Sequence, residues 1–266
     1  MNISETLLSL GKLMLHPRRA TVKPRPRTEP LIILGNGPSL NDTMRDHADS
    51  LARHPLLAVN YAANTPVFAQ LKPEFYVLAD PHFFEKSDDP NVALLLSNLN
   101  AVSWAMTLFL PFGATPHFDN PLLRIERYPM TGVEGSALLE RLAYGARLGM
   151  PRPRNVLIPS IMLGIWMGFT EIYIVGADHS WMESIHVNER NEVVTIQPHF
   201  YKEDEREVER VRVDYMHRPL YQVVYSFYVA FRAYHQIQRF VARRGVAIYN
   251  STPVSYIDAF PRRPLP

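Results

Sequence analysis

The stretch Leu31-Ile32-Ile33-Leu34-Gly35-Asn36-Gly37-Pro38-Ser39-Leu40 decides the fold. Four apolar residues ending in glycine read as a short buried strand, and the Gly-Asn-Gly-Pro-Ser turn hands over to a helix. Strand, turn and helix in that order open a parallel α/β sheet. The rhythm repeats outward. Residues 42–54 read as helix, LLAVN (56–60) as a second strand, FYVLAD (75–80) as a third, 90–100 as helix and VSWAMTLFL (102–110) as a fourth strand. Ser160 to Phe169 is apolar nearly all round and reads as a buried helix, and EIYIVGAD (171–178) is the clearest strand of the chain. The expected fold is α/β and Rossmann-like, a mostly parallel sheet flanked by helices with right-handed crossovers.

The second half departs from that rhythm. IHVNERNEVVTI (185–196) alternates around Asn188 to Asn191 as a β-hairpin does. KEDEREVERVRVD (202–214) reads as a solvated helix or lid. Leu220 to Arg243 reads as one long helix, with Tyr221, Tyr225, Tyr228, Phe231 and Tyr234 expected to pack inward and His235 expected in the core. VAIYN (246–250) reads as a final strand.

Residues 1–30 read as an appendage to a single domain over 31–266. Ile3, Leu7, Leu8, Leu10, Met14 and Leu15 share one face of a short helix, and a basic, Pro-rich segment carrying Arg18, Arg19, Lys23, Arg25 and Arg27 follows. Two readings are open: a docking helix with a linker, or an anchor on anionic lipid, where apolar area and a polybasic patch act together.

Composition narrows the classes. Lys and Arg number 28 against 26 Asp and Glu, so the net charge of +2 provides no broadly basic surface for nucleic acid. With 0 cysteines, disulfides, thiolate metal sites and a cysteine nucleophile are excluded. No run reaches the roughly 18–20 apolar residues of a membrane span, and the first helix lacks the flanks of a signal peptide. The expectation is a cytoplasmic protein with peripheral contact at the inner membrane face through residues 1–30. No Gly-x-Ser-x-Gly elbow, HExxH helix or kinase motif set is present.

In an open parallel sheet ligands bind at the carboxyl ends of the strands. Five polar clusters stand there: Gly35 to Ser39; Asn60, Tyr61 and Asn64; Asp80 to His82; Gly176, Asp178, His179 and Trp181; and Asn250 to Thr252. The two glycines of the first turn allow positive φ and close approach of backbone to a ligand. N–H groups at a helix start favour phosphate, with Ser39 or Asn41 as the helix cap. The plain alternative is an ordinary strand–helix turn. Lys and Ser/Thr do not follow Gly37, so this is no Walker loop, and the third glycine of the dinucleotide fingerprint is missing. His199 and His217 are the candidate proton acceptors, since imidazole titrates nearest neutrality. Each has a carboxylate at helical spacing, Glu203 and Asp214, but no metal ligand set is assigned. Tyr201 and Tyr215 are candidate phosphate donors.

LIILGNGPSL, LLAVN, FYVLAD and GFTEIYIVGADHS together resemble the bacterial sialyltransferase superfamily. It includes small CMP-sialic-acid-dependent sialyltransferases and flagellin-modifying motility-associated factors. The first loop also resembles archaeal-type 6-hydroxymethylpterin pyrophosphokinases. The sialyltransferase resemblance implies that Gly35, Asn36, Gly37, Ser39, Asn60, Asp80 and Asp178 hold a nucleotide-sugar donor. It further implies a base at His217, with His199 the other candidate, and Tyr201 and Tyr215 on the leaving phosphate. Asp80 stands where the family carries Asn, and Asn155-Val156 stands where it carries Thr-Ser. The implied reaction transfers an acidic sugar, sialic acid-like or Kdo-like, from CMP to a surface glycan or lipid-linked acceptor, as in lipopolysaccharide biosynthesis, with no cofactor. The pyrophosphokinase alternative takes ATP and Mg²⁺ on Asp80 and Asp178. A third alternative is a non-catalytic nucleotide-sugar-binding protein.

Overall fold

The computed structural model describes residues 3–85, 88–195 and 218–266. The lid segment 202–214 and the candidates His199, Tyr201, Tyr215 and His217 lie outside them.

A helix, α1 (Ile3–Leu15), leads in. The sheet begins with β1 (Leu31–Leu34), β2 (Leu56–Val59) and β3 (Phe75–Val77). It is widened by β4 (Met106–Pro111) and β5 (Leu123–Tyr128), then β6 (Glu171–Val175) on the far side of β1. A hairpin pairs β7 (His186–Val187) with β8 (Val193–Val194) antiparallel, and β9 (Ala247–Asn250) closes the main sheet. That sheet runs β5-β4-β3-β2-β1-β6-β9, every neighbour parallel. The chain winds outward from β1 to β5, then returns to place β6 against β1. The β1/β6 junction is therefore the topological switch point, where a doubly wound sheet opens a crevice.

Burial follows the pleat. Leu31 and Ile33 of β1 join one hydrophobic cluster, while Ile32 and Leu34 join the other. Opposite side chains of a strand face opposite layers, so a strand covered on both sides must be apolar throughout. One layer holds α8 (Leu157–Met167) and α10 (Leu220–Val241); the other holds α6 (Pro90–Asn100). Between them, in chain order, come α2 (Leu40–Asp46), α3 (Ala48–Arg53), α4 (Pro66–Leu71), α5 (His82–Glu85), α7 (Ala137–Gly145) and α9 (Trp181–Ser184).

Several sequence expectations change. The helix expected over 42–54 is two helices broken at His47, whose φ of −129° leaves the helical region. The strand expected over 102–110 begins only at Met106, and β5 and α7 add elements unread in the sequence. On α10, Tyr234 is fully buried and Phe231 half-buried, but Tyr221, Tyr225 and Tyr228 face solvent. His235 is exposed and meets Asp258 at 3.0 Å, so it is no core histidine.

Residues 16–30 are strapped onto the body. Ala20 and Val22 are buried in the core cluster, and the Arg25 N–H donates to the Met167 carbonyl at 3.0 Å. Gly168 closes α8 at φ 99°, and a Cβ there would run into the Arg25 backbone. The helix before the strap docks opposite to expectation. Ser9 is its buried residue and exchanges two 2.9 Å hydrogen bonds with the Glu134 backbone. Ile3, Leu7, Leu8, Leu10, Met14 and Leu15 are all exposed.

Candidate functional site

A cavity of about 240 Å³ opens at the switch point. Gly35, Asn36 and Gly37 follow β1, Asn60 follows β2, and Gly176, Asp178 and His179 follow β6. Arg154 and Asn155 arrive from the segment before α8, and Phe227 and Ala230 from α10. Trp181 closes an aromatic wall, its ring 4.6 Å from His179 and 4.7 Å from Phe227.

The glycine turn does a different job from a phosphate cradle. Gly35 N–H donates to the Val175 carbonyl and Gly37 N–H to the Gly176 carbonyl, both at 2.8 Å. Ser39 N–H and hydroxyl donate to the two Asp178 carboxylate oxygens at 3.3 and 2.8 Å. Three amides that an incoming phosphate would use are thus committed within the fold. Ser39 sits at the N-cap of α2 but does not cap it with its side chain, because Asp178 holds the hydroxyl. Nor is positive φ the reason for Gly35 and Gly37; that conformation falls on Gly176, at φ 63°. They are glycines because the β6 turn crosses directly over them. A Cβ on Gly37 would enter the Asp178 carboxylate, and one on Gly35 the Gly176 carbonyl.

What the cavity offers a ligand is amide chemistry. Asn36 Oδ1, Asn60 Oδ1 and Asn155 Nδ2 are buried without a hydrogen-bond partner. A buried polar atom left unpaired costs about 1–3 kcal/mol, so three on one wall mark a place where a ligand completes the bonding. Their orientations are set from behind. Asn36 donates its Nδ2 to the Val59 carbonyl at 3.4 Å, turning Oδ1 outward. Asn155 Oδ1 accepts from the Leu157 N–H at 3.1 Å and the Tyr234 hydroxyl at 3.0 Å, leaving its NH₂. The Tyr234 hydroxyl spends its one proton on Asn155. It therefore accepts from His179 Nε2–H, 2.7 Å away. Burial pushes the His179 imidazole down to about 3, so this ring stays neutral and cannot serve as a general base near neutrality. Desolvation likewise holds the Tyr234 phenol above its usual range. Asn60 and His179 also carry positive φ, 49° and 56°; two such non-glycine residues on one cavity mark strain concentrated at a functional site.

Charge is sparse. Arg154 is the cation among the described lining residues, and Asp178 the carboxylate. Asp80 does not line the cavity. Its carboxylate accepts from the His82 N–H at 3.0 Å, at the turn into α5. β3 and β6 are separated by β2 and β1, a span of about 14 Å across three strand spacings. The polar cluster after β9 is structural too. The Thr252 hydroxyl accepts from the Ala177 N–H at 3.1 Å, and Asn250 donates to Ser255 and to the Ile257 carbonyl. Of the five clusters, those after β1, β2 and β6 meet. Arg154, Ser226, Phe227 and Ala230 were missed; Asn155 was noticed only where the family pattern broke. Arg154 lies in PRPRN, where nothing distinguishes it from its neighbour Arg152.

No family model matches the chain, and no curated protein sequence is similar to it. Among solved structures, the fold is similar to that of a MAf glycosyltransferase from Magnetospirillum magneticum AMB-1, with a TM-score of 0.52 at 13% identity. The match covers 97% of this chain and 37% of the other, so the chain spans little more than a third of that protein's length.

Proposed function

We propose that the protein is a glycosyltransferase that takes an acidic sugar from a CMP-activated donor, with the cytidine held by Asn36, Asn60 and Asn155. The observation that carries this reading is the trio of unpaired amide atoms: two acceptors and one donor in a switch-point cavity. Cytosine presents an exocyclic amino group as donor beside ring acceptors, which complements that set; uracil, with a carbonyl in place of the amino group, does not. The fold shared with the MAf glycosyltransferase supports the transferase class.

In this reading the loop amides leave the donor phosphate to other groups. Arg154 at the cavity mouth supplies the positive charge, joined by Tyr201 and Tyr215. Charge grows on the CMP phosphate as the glycosidic bond breaks, and preorganised donors there lower the barrier. His217, or alternatively His199, removes the acceptor proton. His179 and Tyr234 hold Asn155 in register. The acceptor is a surface glycan or lipid-linked saccharide, and the enzyme works in the cytoplasm against the inner membrane face, requiring no cofactor.

The pyrophosphokinase reading needs Asp80 and Asp178 on one Mg²⁺, and their separation across the sheet speaks against that pairing. A thermal-shift panel of CMP, CDP, UDP, GDP and ATP, each with and without Mg²⁺, tests the choice. Stabilisation by CMP without metal is expected, and its loss in Asn36→Ala and Asn155→Ala. Stabilisation by ATP only with Mg²⁺ would overturn the proposal. CMP binding without turnover of any CMP-sugar would point to a non-catalytic binding protein.

A further inference from the structure

A second and larger cleft, of about 640 Å³, lies beside the amide-lined cavity, and Arg154 lines both. Its other charged walls are Lys12 from the last turn of α1, His16 and Arg18 from the strap, and Arg152. No carboxylate is among its described lining residues. Arg152 is balanced by an ion pair with the buried Glu134. The Arg18 guanidinium lies over the Phe112 ring, 5.6 Å from its centroid, which steadies it at the cleft wall. Permanent cations from three separate chain segments therefore converge on one concave, open surface, next to the place where the donor's sugar would emerge.

We infer that this cleft binds the phosphate of the acceptor, and that the acceptor is a phosphate-bearing molecule whose anionic group docks between Lys12, Arg18 and Arg154. The inference rests on the glycosyltransferase reading for the word acceptor, but the anion site stands on its own geometry. Guanidinium groups match phosphate oxygens in pairs, and an ammonium adds a mobile point charge. Arg154, shared by both cavities, would sit between donor and acceptor phosphates and set their spacing. The phosphate is either that of a soluble sugar phosphate or that of a lipid headgroup. Met14 and Leu15, fully solvent-facing beside Lys12 and His16, give the second source a surface to rest on.

The test uses the full chain and two probes, inorganic pyrophosphate in solution and vesicles of phosphatidylcholine with or without phosphatidylglycerol. The double variant Lys12→Ala/Arg18→Ala is compared with wild type. The expected result is binding of one probe that weakens about tenfold in the double variant, the cost of one charge-assisted contact. CMP-induced thermal stabilisation should be unchanged, which certifies the fold. Binding of pyrophosphate identifies the soluble source; binding confined to phosphatidylglycerol vesicles identifies the lipid. Arg154→Ala should weaken both CMP and the anion. Equal binding by wild type and double variant, or no binding of either probe, overturns the inference. If CMP fails to stabilise the protein while the anion still binds through Lys12 and Arg18, the donor reading fails and the anion site survives.

Discussion

Replacing Gly35 by alanine separates two explanations of the glycine turn. If the glycine exists to let a phosphate approach, the variant folds normally and loses nucleotide. If it exists because the β6 turn crosses it, the empty protein itself suffers. The added Cβ would overlap the Gly176 carbonyl oxygen, with the Gly176 carbonyl carbon at 2.8 Å and the Val175 oxygen at 3.0 Å. All are backbone atoms, so no side chain can swing away. The two turns must part, weakening the Gly35–Val175 and Gly37–Gly176 hydrogen bonds, both 2.8 Å. Each is worth about 1 kcal/mol net, and forced overpacking adds about 1–2 kcal/mol. The stiffer unfolded chain returns about 0.5–1 kcal/mol. The expected loss is about 2–3 kcal/mol, or about 4–12 °C in Tm for a chain of this size. Calorimetry and urea unfolding of the ligand-free protein measure it directly. A ligand-free Tm within about 1 °C of wild type, with nucleotide binding abolished, would refute the crossing explanation.

Three further outcomes are expected. His179 is neutral in the fold with its pKa lowered to about 3, whereas the unfolded chain takes up its proton near 6.5. Between those values the unfolded state binds more protons. Stability therefore falls as pH drops below about 6.5, by up to about 1.4 kcal/mol per pH unit, and His179→Gln should flatten this slope in urea titrations at stepped pH. An unaltered slope would show that His179 does not carry it. Glu134 is 2% exposed and paired with both Arg152 and Arg232, the latter also 3.2 Å from Glu5 of α1. Glu134→Ala should cost about 3 kcal/mol in chemical unfolding and loosen α1 in hydrogen exchange, since two guanidinium groups lose their counter-charge; a cost below about 1 kcal/mol would mean solvent already screens the pairs. Arg154→Ala should weaken CMP binding in calorimetric titration about tenfold at low salt, and less at high salt. Equal affinity at both salt concentrations would remove Arg154 from the phosphate site.

Much of the fold was readable because its signals are local. An apolar run such as Leu31 to Leu34 is short, bounded by glycine, and must be covered on both faces wherever it goes. The nearly all-apolar α8 can only be interior. The hairpin turn at Asn188 to Asn191 carries its own chemistry. β5 escaped because LRIERY mixes charge with apolar residues: Arg124 points to solvent while the buried Glu126 is paired with it, a compensation invisible in one dimension. The tyrosines of α10 misled because aromatic content says nothing about which helix face a neighbour covers.

The site divides in the same way. Sequence alone determined that Asn36, Asn60 and Asp178 stand at the carboxyl ends of strands, because strand ends follow from local apolar runs. Which of those ends meet was decided by strand order alone. By placing β6 against β1, the sheet brings Asp178 onto Ser39 and fills the very amides that looked ready for phosphate. It leaves Asp80 three strands away and carries Arg154 and Asn155 to the cavity from the loop before α8. The exposed apolar face of α1 was likewise settled by tertiary contact, since Ser9 finds the Glu134 backbone and the body claims the helix by its polar side. Local pattern specifies what each segment can bury; only the packed sheet specifies against what, and hence which polar atoms remain unpaired for a ligand.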